Sequence, residues 1–199
     1  SCFLDVNPQI LPARPAHQPT PKPDATPVPL RSAWQVQFRA GKPNLTLSAM
    51  LPNLVSWTTL SDSASYFWGW ASYVTRFDLP TGLDPTQPIR IDLGDVREVA
   101  SVRLNGQHLG TAWSIPFRLT IPANTLKASG NLLEIDVSNL SANYIRLIDA
   151  RVKAGQIPDW KRFYDINIVD IQYKPFDATR WQPRPSGLLG PVQLIGLSN

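Results

Sequence analysis

The chain has one cysteine, one methionine and two histidines in 199 residues, and each scarcity closes a class of function. With Cys2 alone there is no internal disulfide and no zinc site built of cysteines. His17 and His108 are too few and too far apart in sequence to supply a metal set of their own. Long apolar runs are missing too: no stretch of about 18 apolar residues exists, so no helical membrane span is expected. Clustered charge is equally absent. The net charge is +4, but the 19 Lys and Arg are scattered singly, with Lys161-Arg162 the only adjacent pair. Nucleic-acid binding needs a concentrated basic footprint and is not expected. The chain opens on Ser1-Cys2-Phe3 without a charged start and apolar stretch. A signal peptide is therefore expected to have been removed, or to lie outside this sequence.

Proline is abundant by contrast. Eight of the 20 prolines fall between Pro8 and Pro29, spaced so that neither a helix nor a central strand can form there. Residues 1–31 are read as a Pro-rich linker from an upstream domain, or as a strap laid over the fold. Residues 32–199 are read as one domain. A chain of this length, 43% hydrophobic, buries one good core and is too short for a decorated barrel of eight β/α units.

From Trp34 onward apolar residues alternate with period two. Trp34-Gln35-Val36-Gln37-Phe38, Tyr73-Val74-Thr75-Arg76-Phe77 and Leu133-Glu134-Ile135-Asp136-Val137 each place their first, third and fifth residues on one face. Ala100, Val102 and Leu104 form another inward row that runs into Asn105-Gly106, a dipeptide suited to a tight hairpin turn. The returning strand is expected to begin at Leu109-Gly110. Helix signals are sparse: Asn124 to Gly130 and Asp159 to Tyr164 read as short helices of at most about two turns. Short strands with Pro and Gly at their joints predict an all-β antiparallel sandwich or jelly roll with one or two very short helices.

Three stretches near the end, Asn139-Leu140-Ser141-Ala142-Asn143-Tyr144-Ile145-Arg146, Trp160-Lys161-Arg162-Phe163-Tyr164-Asp165-Ile166-Asn167 and Ser186-Gly187-Leu188-Leu189-Gly190-Pro191, form one long signature. It resembles the carboxy-terminal end of bacterial glycoside hydrolase family 106, the α-L-rhamnosidases. Upstream, Leu54-Val55-Ser56-Trp57, Tyr66-Phe67-Trp68-Gly69, Asp92-Leu93-Gly94-Asp95-Val96 and Leu104-Asn105-Gly106-Gln107-His108-Leu109-Gly110 look like the galactose-binding-like sandwich preceding that end, also similar to the sugar-binding domain of family 2-type hydrolases. The resemblance covers roughly Ser32 to the end. It implies that the catalytic carboxylates sit on a separate, larger domain. Tyr144 stands where the family usually has Arg.

Aromatic rings are the usual platform for a sugar, whose apolar face stacks on them while nearby polar groups satisfy its hydroxyls. Of the 7 Trp, Trp57, Trp68 and Trp70 lie in a polar-aromatic stretch, and Trp68 and Trp70 share a face if it is extended. Trp113, between Gly110 and Pro116, falls in an irregular segment and is the foremost carbohydrate-binding candidate. Asn143, Arg146 and Asp149 complete the predicted site; their alternative role is a buried network in which Arg146 and Asp149 pair. A structural calcium ion is a minor expectation, with Asp92, Asp95 or Glu134 as ligands. Asp159, Asp165, Asp170 and Asp177 show no spacing that defines an acid/base pair. The sequons Asn44-Leu45-Thr46 and Asn139-Leu140-Ser141 are short enough to arise by chance. Ser186 to Pro191 reads as mechanical, its glycines letting the backbone pass close to neighbouring strands.

The expected function is that of a non-catalytic, carbohydrate-associated module of a secreted or periplasmic glycoside hydrolase. Its partners would be the parent's catalytic domain and a plant-type polysaccharide or oligosaccharide. A free-standing lectin-like protein and a structural or assembly protein on the same fold are the alternatives.

Overall fold

A computed structural model describes residues 26–156, 177–178 and 180–197. Its strands, in chain order, are β1 Val28–Pro29, β2 Trp34–Lys42, β3 Ser48–Leu51, β4 Trp68–Phe77, β5 Ile89–Asp92 and β6 Asp95–Arg97. They continue with β7 Val99–Leu104, β8 Gln107–Ala112, β9 Arg118–Ile121, β10 Asn131–Ser138, β11 Gly187–Gly190 and β12 Gln193–Gly196. Helix α1 is Asp62–Ser65, α2 is Ala142–Lys153, and Trp57–Thr59 makes a 3₁₀ turn.

Two antiparallel sheets carry the sandwich, one in the order β3-β2-β4-β10-β7-β8 and one in the order β1-β12-β5-β9, with β11 paired to β6 beside them. Period-two alternation decides what each strand buries. Leu133, Ile135 and Val137 of β10 are fully enclosed, as are Ala100, Val102 and Leu104 of β7 and Val36 of β2. Ile89, Ile91 and Leu194 meet them from the smaller sheet in one continuous core. Each large aliphatic side chain so placed contributes about 1.5–3 kcal/mol. One end of the core is aromatic: Phe38 and Phe67 meet edge to face at 4.9 Å, and Trp57 lies 5.4 Å from Phe38 and 5.7 Å from Phe67.

Asn105 and Gly106 adopt φ of 53° and 83°, the pair of positive angles that a type I′ hairpin needs, and Leu104 faces Gln107 across it. The returning strand therefore starts at Gln107, two residues before the expected Leu109, because a two-residue turn pairs its flanks at once. Asn124 to Gly130 is not helical. Asn124 takes φ 62° where a helix would start, and buried Asn131 folds the segment back by accepting from Lys127 N and donating to Lys127 O, both at 2.8 Å. The expected helix at Asp159 to Tyr164 lies outside the described residues.

The substantial helix is α2, at three turns longer than any expected. Its pattern was obscured because its inward face carries Asn143 and Asp149 beside Ile148. The legible signals were at its end, with Arg151 and Lys153 in the last turn and Gly155 at φ 68° just beyond.

The described end of the Pro-rich stretch lies on the sandwich as an edge strand. Val28 and Pro29 oppose Leu194 and Gln193, and Leu30 N donates to Val192 O at 2.9 Å. Pro29 is tolerated because an edge needs no donor on its outer side. A chain begun at Ser32 should be less stable than one begun at Thr26 by about 1–2 kcal/mol, read from urea unfolding of the two. Equal midpoints would show that the strand adds nothing.

Candidate functional site

Strands β8 and β10 run parallel, so their carboxy-terminal ends emerge at the same end of the six-stranded sheet. Ala112 faces Ala100, and Ala100 faces Val137, which places Trp113 and the entry to α2 there together. Trp113 is 74% exposed and Ile115 86% exposed, a bare apolar pair on the loop between β8 and β9. Beside Ile115 runs a groove of about 430 Å³ lined by Asp95, Arg97, Glu98, Phe117 and Arg118.

The other predicted residues turn inward. Asn143 is 1% exposed; its Nδ2 donates to Arg184 O at 2.8 Å and its Oδ1 accepts from Arg184 N at 2.8 Å. Asp149 is fully buried and accepts from Ala178 N at 2.8 Å and from Lys153 Nζ at 3.0 Å. Burial alone would push the Lys153 ammonium down, but hydrogen bonds to Asp177 and Asp149 outweigh it and hold the pKa above the usual lysine value. The expected Arg146–Asp149 pair does not form: Asp149 takes Lys153 one helical turn on, and the Arg146 guanidinium lies 5.2 Å over the Tyr66 ring. Tyr144, at the departure from the family pattern, stacks on Trp68 at 6.1 Å. Asn143 and Asp149 thus tie α2 to Arg184 and Ala178, while Tyr144 and Arg146 tie it to Trp68 and Tyr66. Among the described residues no hydrogen bond, ion pair or ring contact joins Trp113 to α2.

Asn139 has a similar internal task. Its Oδ1 accepts from Gly69 N, and its Nδ2 donates to Phe67 O at 2.9 Å and to Ser186 Oγ at 3.1 Å. That amide is committed, so the second sequon is not an available glycan acceptor in this fold; Asn44 of the first is exposed.

The carboxylates named for calcium are not assembled. Asp92 accepts from Arg118 Nε at 2.6 Å and Gly94 N at 2.9 Å, and Asp95 pairs with Arg97, whereas Glu134 is on the outer face of the six-stranded sheet. Among the described residues no group of three or more His, Cys, Asp or Glu is placed to hold a metal ion. Asp177 lies by Lys153 and Arg180; Asp159, Asp165 and Asp170 fall outside the described residues. Ser101 Oγ lies 3.2 Å from His108 Nε2, a pair that sequence spacing did not reveal because the hairpin brings it together. It is exposed, and no carboxylate orients His108 among the described residues, as a nucleophile–base pair would require.

Sequence reasoning put Trp68 and Trp70 on one face of an extended segment but did not gather the polar residues that share the outer face of the six-stranded sheet with Trp70. Trp70, 43% exposed, overlooks a groove of about 480 Å³ that includes Arg39, Ser72, Ser101, Arg103, Glu134 and Asp136. The alternation that buries Ala71 and Tyr73 necessarily turns Trp70, Ser72 and Val74 to this side.

The chain is similar to short segments of glycoside hydrolases. No family model matches it. It is 31% identical over 190 residues to the Formosa agariphila protein named "Putative beta-glucuronidase", a match covering 84% of this chain and 15% of that protein. Against the structure of a rhamnosidase from Novosphingobium sp. PP1Y it has 30% identity and a TM-score of 0.62, covering 86% of this chain and 15% of that one. A GH2 beta-galacturonidase from Eisenbergiella tayi shares the fold at 20% identity and a TM-score of 0.52, over 87% of this chain and 25% of that one. The chain thus spans about one-seventh of the first two relatives and a quarter of the third.

Proposed function

We propose that this chain is a non-catalytic sandwich module of a larger, exported glycoside hydrolase resembling an α-L-rhamnosidase, where it packs on the catalytic domain and contacts carbohydrate through Trp113. The observation that carries this reading is the similarity at 30% identity to a rhamnosidase of which the matched part is only 15%. The Asn139 to Arg146 and Ser186 to Pro191 stretches, which resemble the ending of the α-L-rhamnosidases, support the rhamnosidase side of this reading. Asn143 and Asp149 act at this end by tying the helix to Arg184 and Ala178, and Trp113 supplies the ring.

The chain by itself is expected to give no turnover of aryl α-L-rhamnosides. Turnover that survives mock-purification controls and disappears when one of its own carboxylates is replaced would overturn the reading. Trp113→Ala should weaken binding of rhamnose-containing oligosaccharides several-fold, since one exposed stacking ring contributes on the order of 1 kcal/mol. Its melting temperature should stay near that of the wild type, because the ring is bare. Calorimetric titration checks the first outcome, and a melt the second.

A further inference from the structure

We propose that the outer face of the six-stranded sheet, centred on Trp70, is a second carbohydrate site, built for a neutral oligosaccharide. The ligand class rests on the carbohydrate reading above; the location rests on the sheet itself.

The backbone is adapted at this spot. Between the pairs Phe38–Ala71 and Gly41–Gly69, β2 has two residues, Arg39 and Ala40, against the single Trp70 of β4. Such a bulge bends its strand and re-aims side chains, and here Arg39 and Trp70 line the same groove. Gly69 permits the crossing, since a Cβ there would run into the backbone of Ala40 and Gly41. A second irregularity, between Val102 and Arg103 on β7 against β8, lies under the opposite side of the groove.

Cross-strand register then orders the polar groups. Ser72 faces Asp136, which faces Ser101; Val74 faces Glu134, which faces Arg103. Arg39 Nε donates to Ser72 Oγ at 3.2 Å, and Ser72 Oγ donates to Asp136 Oδ1. This relay fixes Arg39 and Asp136 while leaving the Arg39 terminal nitrogens and Asp136 Oδ2 without a hydrogen bond among the described residues. Arg103 and Glu134 likewise make no hydrogen bond or ion pair there. The groove thus offers two guanidinium donors and two carboxylate acceptors with unused capacity, next to a half-exposed ring.

That mixture selects the ligand. A sugar hydroxyl both donates and accepts, so vicinal hydroxyls are satisfied by an arginine and a carboxylate side by side. Two positive and two negative groups leave no surplus charge to attract a uronate. A protein interface is disfavoured, because charged residues are depleted at interface centres and here they line the floor. From Trp70 to Val74 the floor runs about 13 Å along β4, which suits several linked rings rather than one.

The test uses the full chain carrying Trp113→Ala, so that the end loop is silent, titrated by calorimetry with neutral rhamnose-containing tetrasaccharides. Binding should persist in this variant. Adding Trp70→Ala should weaken it roughly ten-fold, and adding Arg103→Ala several-fold, with melting temperatures little changed. Arg103 is exposed, so its variant remains informative if the tryptophan change perturbs folding. Equal affinity in all three proteins overturns the site. Loss of all binding with Trp113→Ala alone overturns it too and leaves the loop reading standing, whereas no binding by the wild type removes both. Tighter binding of uronate-containing tetrasaccharides of the same length overturns the neutral-ligand assignment.

Discussion

Replacing Asn139 by alanine is expected to destabilise the protein by about 3 kcal/mol and to lower its melting temperature by roughly 10 °C. The residue is buried just after β10 and bonds two separate segments: the start of β4, through Gly69 and Phe67, and Ser186 just ahead of β11. Truncation leaves a buried N–H, a buried carbonyl and a buried hydroxyl short of a partner, at about 1–3 kcal/mol each, partly recovered through Asn143 and Arg184 O, which also reach Ser186 Oγ. Because Asn139 and Ser186 share a network, the double variant Asn139→Ala/Ser186→Ala should cost less than the sum of the singles. Urea denaturation of the four proteins measures both effects. Strict additivity would show that the two side chains act independently.

Gly187→Ala should cost as much or more, about 3–4 kcal/mol. Two penalties combine. Gly187 has φ 98°, a region in which a non-glycine residue is held at a cost of about 1–3 kcal/mol. A Cβ there would also press on the Tyr73 hydroxyl and come within 3.0 Å of the Trp57 ring. Neither neighbour can yield cheaply: Trp57 belongs to the aromatic cluster, and the Tyr73 oxygen accepts from Leu188 N at 3.2 Å. Burial has already pushed the Tyr73 phenol up to about 12, as expected for a hydroxyl that must stay neutral in the core. Gly82→Ala is a fair control, with φ 89° and open space around it, so it should show the backbone penalty alone. If the two variants unfold at the same midpoint, the close approach contributes nothing.

Much of the architecture was legible because a half-buried strand announces itself in every second residue. Trp34-Val36-Phe38, Ala100-Val102-Leu104 and Leu133-Ile135-Val137 are read directly from alternation, and each row is buried. Asn105-Gly106 was legible for a related reason, since few dipeptides accept two positive φ angles. The glycines of Ser186 to Pro191 were read as close-approach points, and Gly187 and Gly190 sit where an added Cβ would strike Tyr73 and Leu54. Helix α2 escaped because its buried positions are polar, and a polar inward face has no hydrophobic period to detect. Asn143 and Asp149 looked like ligand contacts for the same reason. An amide or carboxylate that serves a distant backbone is indistinguishable in sequence from one that serves a sugar.

The sequence by itself determined which residues form strands, which face of each is apolar and where the tightest turn falls, since these depend on local sterics and on a period of two. It also placed Trp113 outside any apolar row, and the ring is exposed. Tertiary structure alone decided how the polar side chains are used. Asn139, Asn143 and Asp149 are spent on segments 29 to 72 positions away, as near as Ala178 and as far as Phe67. Arg39, Trp70, Asp136 and Arg103 are gathered into one groove by pairings among four strands. Such partnerships are set by register and by a bulge, and register is fixed only when the whole sheet closes on its core.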